Sequence, residues 1–180
     1  MLQIGQKAPR FTMDAVIGKG DFVTVSSDKL EGKWKVLYFY PLDFTFVCPT
    51  EITAFNERIA EFEALNTTVI GCSTDSKFSH RAWIQSDLGE MKHALAADLS
   101  KQVARDYGVL LEDAGIALRG LFIIGPDNKL HYQLVHDLGI GRNVDEVLRV
   151  LQAIQYVEKS GGAEACPVNW KPGGETLRPQ

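Results

Sequence analysis

Hydrophobic positions along the chain change period several times, and each change marks an element. Residues 36–40, VLYFY, form an unbroken apolar and aromatic run of strand length, the pattern of a strand covered on both faces. Ile52, Phe55, Ile59, Phe62 and Leu65 then recur at spacings of three and four, which predicts one amphipathic helix with a single buried face. TVIGCST at 68–74 returns to a buried-strand pattern, and Asp75 or Ser76 stands where it would cap a short helix carrying Phe78, Trp83 and Ile84. LFIIGPDNKLHYQLV at 121–135 is two strand-like runs about a Gly-Pro-Asp-Asn turn, a hairpin signal. Asn143 and Glu146 have capping-box-like spacing ahead of Val147, Leu148, Leu151, Ile154 and Val157, with Gly161 as the stop. Strand, helix, strand, helix, hairpin and final helix predict an α/β fold with a central mixed β-sheet flanked by helices. The segment from Ser160, SGGAEACPVNWKPGGETLRPQ, has no periodicity and much Gly and Pro. It is expected to be a mobile arm, or one ordered only by a partner.

Size and composition narrow the function classes. A chain of 180 residues is one domain with a core that needs no staples, and no linker or repeat divides it. The net charge of -4 offers no basic face for nucleic acid. No apolar run approaches the roughly 18 residues of a membrane span. The start MLQIGQKAPRF lacks the basic and apolar regions of a signal peptide, so a cytoplasmic address is expected. The cysteines, Cys48, Cys72 and Cys166, cannot all pair within one chain; in a reducing compartment such residues are catalytic, metal-binding or buried. The histidines at 80, 93, 131 and 136 lack ligand spacing, so neither a metal site nor a cofactor is expected.

The candidate chemistry lies in YPLDFTFVCPTEI, 40–52. Phe44, Phe46 and Val47 are of a type to be buried, yet the run stops at Cys48, places Pro49 behind it and opens a helix. Proline suits the first helical position, and a helix N-terminus stabilises a thiolate. On spacing alone, an activated thiol and a small apolar filler are both open. The neighbours favour the thiol. Thr45 can offer its hydroxyl to the sulfur or to what the sulfur attacks, and Pro41 can shape the loop and shield it. Arg119, set in GIALRGLFII at the lip of a buried strand, needs a partner, which a thiolate or Glu51 would provide. Cys72, inside TVIGCST, reads as an inert core thiol, and Trp83 and Phe78 as core or subunit contacts.

FYPLDFTFVCPTE resembles the active-site segment of the peroxiredoxins, in particular the typical 2-Cys group that includes the bacterial alkyl hydroperoxide reductase C proteins. The resemblance continues through APRF (8–11), HRAW (80–83), RGLFII (119–124), GIGRNVDEVLRVLQAIQY (139–156) and EACPVNWKPG (164–173). It implies a thioredoxin-like fold with a peroxiredoxin N-terminal extension, a domain over 1–159 and a C-terminal arm over 160–180. By the same likeness Cys48 is the peroxidatic cysteine, Pro41, Thr45 and Arg119 complete its pocket, and Glu51 and Arg142 hold Arg119. Cys166 matches the resolving cysteine. The arm can in principle fold back on its own chain; the resemblance implies instead that it reaches Cys48 of a second subunit. It further implies a homodimer assembling to a decamer, with Phe44, Ser76 and Phe78 where dimers meet. Small-molecule peroxides are the implied substrates, and thioredoxin or a flavoprotein disulfide reductase the electron donor.

Two other functions compete. A thioredoxin-like disulfide oxidoreductase usually carries C-x-x-C, whereas Cys48 is followed by Pro, Thr and Glu. A holdase chaperone role would be additional to the intact pocket. Peroxiredoxins sensitive to overoxidation carry a Gly-Gly-Leu-Gly loop and a C-terminal helix with a Tyr-Phe pair. Here the loop reads Ser86-Asp87-Leu88-Gly89 and the sequence stops at Gln180 after GGETLRP, so resistance to overoxidation is expected.

Overall fold

The computed structural model describes residues 2–178. In chain order its elements are β1 (Thr12–Gly18), β2 (Asp21–Ser26), β3 (Trp34–Phe39), α1 (Cys48–Glu57), α2 (Ile59–Ala64), β4 (Thr67–Ser73) and α3 (Lys77–Trp83). There follow β5 (Met91–Ala97), α4 (Gln102–Asp106), β6 (Leu110–Leu111), β7 (Ile116–Ala117), β8 (Arg119–Ile124), β9 (Leu130–His136) and α5 (Val144–Lys159). The chain divides into two units, one ending at Arg142 and one starting at Asn143.

The first unit is built on a seven-stranded mixed sheet in the order β2-β1-β5-β4-β3-β8-β9. The three central strands β5, β4 and β3 run parallel, as buried strands joined by helical crossovers do. Hairpins close both edges: β1–β2, and β8–β9 about the predicted Gly-Pro-Asp-Asn turn. Every residue of β3 is buried, which is why VLYFY shows no alternation. Phe39 meets Tyr107 and Phe122 on one face, at ring separations of 5.6 and 5.9 Å. On the other face Tyr38 stacks on Phe55 of α1 at 4.5 Å. The site-bearing helix is thereby fixed to the middle of the sheet by an aromatic pair, a contact with specific geometry.

Ser76 is the cap of α3, accepting the Ser79 N–H at 3.2 Å. The helix then loosens into one π turn over Ile84–Leu88, which contains most of the Ser86–Gly89 loop. The single helix expected from Ile52 to Leu65 is corrected to two. It breaks at Arg58 (φ -104°, ψ 8°), although Ile52, Phe55, Ile59 and Phe62 all remain buried. The apolar face survives because the break turns the backbone without changing which side faces inward.

In the second unit, Asn143 caps α5 by accepting the Glu146 N–H at 3.2 Å, and Gly161 (φ 63°) ends it. The expectation that the following segment has no order of its own is also corrected. Trp170 is buried with its ring 5.4 Å from that of Tyr156, and Ala165 bridges Leu177. The Trp170 carbonyl accepts from Arg149 at 3.0 Å, and the Thr176 hydroxyl donates to Glu164 at 2.7 Å. Cys166 is half-buried, its Sγ 3.9 Å from the Ala153 carbonyl of α5. The arm's own aromatic and polar side chains thus give it a seat on its own helix.

Candidate active site

Cys48 is the first residue of α1, reached through the loop 40–47 that leaves β3. Val47 provides no side-chain cap, so no side chain competes for the first-turn N–H groups. The thiol is fully buried, and Arg119 Nη1 donates to its Sγ at 3.4 Å. Arg119 opens β8; its Nε donates to the Leu138 carbonyl at 2.7 Å, so the guanidinium is held at both ends.

Glu51, one turn into α1, organises the charges. Its Oε2 accepts from Arg119 Nη1 at 2.7 Å and from Arg142 Nη2 at 2.9 Å. Its Oε1 accepts from the Arg142 backbone N–H at 2.8 Å and from Arg142 Nε at 2.7 Å. Arg142 Nη1 is taken by the Gly120 carbonyl at 2.6 Å. Burial raises the Glu51 pKa; hydrogen bonds from Arg142 and the charges of Arg142 and Arg119 outweigh it and leave the carboxyl below its ordinary value. A buried ionic cluster persists only when each partner is satisfied, and this one is.

Arg119 also lines a cavity of about 240 Å³ walled by Pro41, Leu42, Thr45, Phe46, Val47, Leu138 and Gly139. Its surface is mostly apolar, with Arg119 as the charged member. Thr45 is exposed there, and its hydroxyl donates to the Leu42 carbonyl at 3.0 Å rather than to the sulfur. The structure therefore brings Pro41, Thr45 and Arg119 into one pocket and Cys48, Arg119, Glu51 and Arg142 into one cluster, with Arg119 common to both. Phe44 and Phe46, expected to be buried, are 55% and 86% exposed. Phe44 takes φ 57°, unusual for a bulky residue, and packs its ring 5.6 Å from Trp83. Phe78 is also exposed, edge-on to Phe22 at 5.5 Å.

A second buried cluster, with no counterpart in the sequence reading, fixes the loop that carries Pro41 and Thr45. Asp43 accepts from the Tyr40 hydroxyl at 2.9 Å and the Ser79 hydroxyl at 2.8 Å. Its Oδ2 lies 2.7 Å from His80 Nδ1, while His80 Nε2 faces the Ala96 carbonyl at 3.0 Å. The Asp43 N–H donates to Asp75, which also accepts from the Ser73 hydroxyl. Asp43 in the loop and the His in HRAW are separated by 37 positions, so only the rarity of buried polar residues could have hinted at their pairing.

Cys72 is fully buried beside Met13, and burial pushes its thiol well above its ordinary range. It is a core residue. Burial also raises the Cys166 thiol, which Glu164 reinforces and the Arg149 charge opposes. Among the described residues no cluster of His, Cys, Asp and Glu is placed to hold a metal ion, and no helix is long and apolar enough to cross a membrane.

Comparison with known proteins fits this geometry. Residues 4–133 match the AhpC/TSA family, and residues 153–180, which include Cys166, match the C-terminal domain of 1-Cys peroxiredoxin. Peroxiredoxin prdx-2 of Caenorhabditis elegans is 55% identical over 98% of this chain and 89% of its own. A putative peroxiredoxin of Bacillus subtilis, YkuU, is 54% identical over 97% of each. Among solved structures, the reduced 2-Cys peroxiredoxin of Plasmodium vivax superposes with a TM-score of 0.95 at 40% identity, covering 100% of this chain and 95% of that one. AhpC of Enterococcus faecalis superposes at 0.88, also at 40% identity, over 93% and 100%. The sheet order and its flanking helices are therefore a thioredoxin-like fold. With a buried thiol facing a fixed guanidinium on that fold, the chain belongs to the AhpC/TSA family and is a typical 2-Cys peroxiredoxin, a thiol peroxidase that reduces peroxides.

Proposed function

We propose that Cys48 is the peroxidatic cysteine of this peroxidase and Cys166 its resolving cysteine. The observation that carries this reading is the Arg119 guanidinium, 3.4 Å from Cys48 Sγ and tied to Glu51. The Cys48 thiolate attacks one peroxide oxygen in line with the O–O bond. That bond breaks, its electron pair goes to the leaving oxygen, and the oxygen departs as water or an alcohol after taking a proton. Arg119 and the N–H groups at the start of α1 stabilise the developing charge, each such donor being worth on the order of 3 kcal/mol. Thr45 and Pro41 bound the space in which the peroxide lies. The mostly apolar wall of that space suits the carbon substituent of an organic hydroperoxide as well as hydrogen peroxide.

Cys48 becomes a sulfenic acid. The Cys166 thiolate of a second subunit then attacks that sulfur, water leaves, and an intersubunit Cys48–Cys166 disulfide forms. Because Cys48 is buried in the first turn of α1, that turn unwinds for resolution. An external dithiol, thioredoxin or a flavoprotein disulfide reductase, restores both thiols by exchange. Residues 1–159 act as the catalytic domain and 160–180 as the arm that carries Cys166. Homodimers close into a decamer through Phe44, Ser76 and Phe78, and the enzyme works in the cytoplasm. A holdase activity would be additional.

Turnover of peroxide with thioredoxin and its reductase tests the assignment. Cys48→Ser is expected to abolish it and Cys72→Ser to leave it nearly intact; equal losses would sink the reading. Peptide mapping of the oxidised protein reads the pairing, and a bridge within one chain would refute the intersubunit disulfide. Light scattering that gave only dimers for the reduced protein would refute the ring.

A further inference from the structure

One buried aromatic residue stands between the charge cluster and the centre of the sheet, and the mechanism above makes no use of it. Tyr38 on β3 is fully buried, and Arg142 Cζ lies over its ring, 5.2 Å from the centroid. Phe55, on the helix that begins with Cys48, stacks on the same ring with only 13° between the planes.

The stack on Phe55 sets the plane of the ring, and its hydroxyl finds a partner farther across the sheet. Tyr38 is in register with Gly71 of β4, and a Cβ at that glycine would stand 2.6 Å from Oη. Glycine there lets the ring pass across β4 to β5, where Oη is 2.8 Å from His93 Nε2. The tautomer of His93 follows from its other nitrogen. Nδ1 faces Asn56 Oδ1 at 3.3 Å, an oxygen that already accepts the Lys92 N–H at 2.6 Å, so Nδ1 carries the proton and Nε2 accepts. Burial pushes the His93 pKa down to about 3, so the imidazole stays a neutral acceptor at neutral pH. Three strands thus take part in placing one phenol.

Hydrogen bonds from Arg142 leave in the plane of its guanidinium, to Glu51 and to the Gly120 carbonyl. They do not resist motion perpendicular to that plane. The negative face of an aromatic ring does, most strongly where water is excluded. We propose that Tyr38 is a positioning residue for the peroxide reaction: its ring, stacked on Phe55 and admitted across the sheet by Gly71, is the platform that holds Arg142, and through Glu51 holds Arg119 at Cys48. This rests on the roles given above to Cys48, Arg119, Glu51 and Arg142.

Stopped-flow measurement of Cys48 oxidation by hydrogen peroxide tests it, with Tyr38→Phe, Tyr38→Leu and Tyr38→Met compared. Tyr38→Leu, which removes the ring face, is expected to lower the second-order rate constant at least about tenfold, as small misplacements of catalytic groups do. Tyr38→Phe keeps the face and is expected to stay within about threefold, a rescue that a role for the hydroxyl does not predict. Tyr38→Met, which fills the space without a π face, is expected to fall with Tyr38→Leu, a loss that a packing role does not predict. Equal losses in Tyr38→Phe and Tyr38→Leu, or a Leu or Met variant as fast as the parent, would overturn the proposal. Should Tyr38→Leu fail to fold, Tyr38→Met takes its place under the same criteria. Cys48→Ser is run alongside. Residual peroxide consumption there would overturn the site itself, whereas an inert Cys48→Ser beside a fast Tyr38→Leu would overturn the platform alone.

Discussion

Replacing Glu51 by Gln changes one buried oxygen into an NH₂ group and little else in shape. Its carboxylate accepts four hydrogen bonds, two at each oxygen, from Arg119 and Arg142. Whichever way the amide turns, one oxygen's pair of bonds becomes donor against donor, and two buried guanidiniums lose their counter-charge. Breaking a buried ion pair in this way costs about 3–5 kcal/mol, a large share of the roughly 5–15 kcal/mol that holds a domain folded. Arg119 loses its charged anchor in the same step and keeps only neutral acceptors to hold it, so the rate of Cys48 oxidation is expected to fall on the order of 10²-fold, as for removal of one transition-state donor. The pH dependence follows from the lowered carboxyl pKa. The unfolded chain, with an ordinary pKa near 4.5, takes up the proton first as pH falls. The stability that Glu51 contributes is therefore present above that value and lost as pH drops through it towards the folded pKa. Urea unfolding at neutral pH and at successively lower pH, beside stopped-flow oxidation, measures all three quantities. An oxidation rate within about threefold of the parent, or an acid profile unchanged by Glu51→Gln, would refute the reasoning.

Asp43→Ala leaves His80 without its carboxylate and removes acceptors from Tyr40 and Ser79. The expected loss is about 3–5 kcal/mol, seen in urea unfolding together with faster proteolysis in the 41–47 loop; unchanged cleavage there would count against a role in holding the loop. Trp170→Ala removes the ring packed on Tyr156. A contact of about 0.5–1.5 kcal/mol is lost, so disulfide formation after sulfenic acid should speed up several-fold in the second stopped-flow phase; a slower phase would show that the seated arm is the productive one. Phe44→Ala and Phe78→Ala, which remove exposed rings, are expected to shift reduced assemblies towards smaller species in light scattering.

Elements set by local pattern were legible in the sequence. The buried runs VLYFY and TVIGCST and the caps at Ser76 and Asn143 each state their structure within a few residues. The break at Arg58 was hidden because apolar spacing records which side faces inward, not whether the backbone hydrogen bonds continue. The first hairpin is faint in the sequence although Met13 and Ala15 are buried while Thr12 and Asp14 are exposed, because small residues mute that alternation. In the site, the need of Arg119 for an acidic partner was readable, since a charge at the start of a buried strand must be paired. Arg142 came only through resemblance, and Asp43 with His80 not at all, because their contact depends on where the loop and α3 meet in space. Tyr156 and Trp170 gave no periodic signal, yet their contact turns an aperiodic tail into a seated one.

The buried cluster has one further property, its sum of charges. In the proposed reaction Arg119 and Arg142 contribute +2 and Glu51 and the attacking Cys48 thiolate contribute -2, so the total at the moment of attack is zero. A sulfenic acid is neutral, so that reaction leaves one positive charge uncompensated among buried groups. Exposing the first turn of α1 to solvent relieves that imbalance. Consumption of a peroxide therefore does more than prepare Cys48 for the second cysteine. With the roles proposed for Cys48 and Arg119, it withdraws one electrostatic reason for the closed turn, so that oxidation favours opening and reduction favours closure.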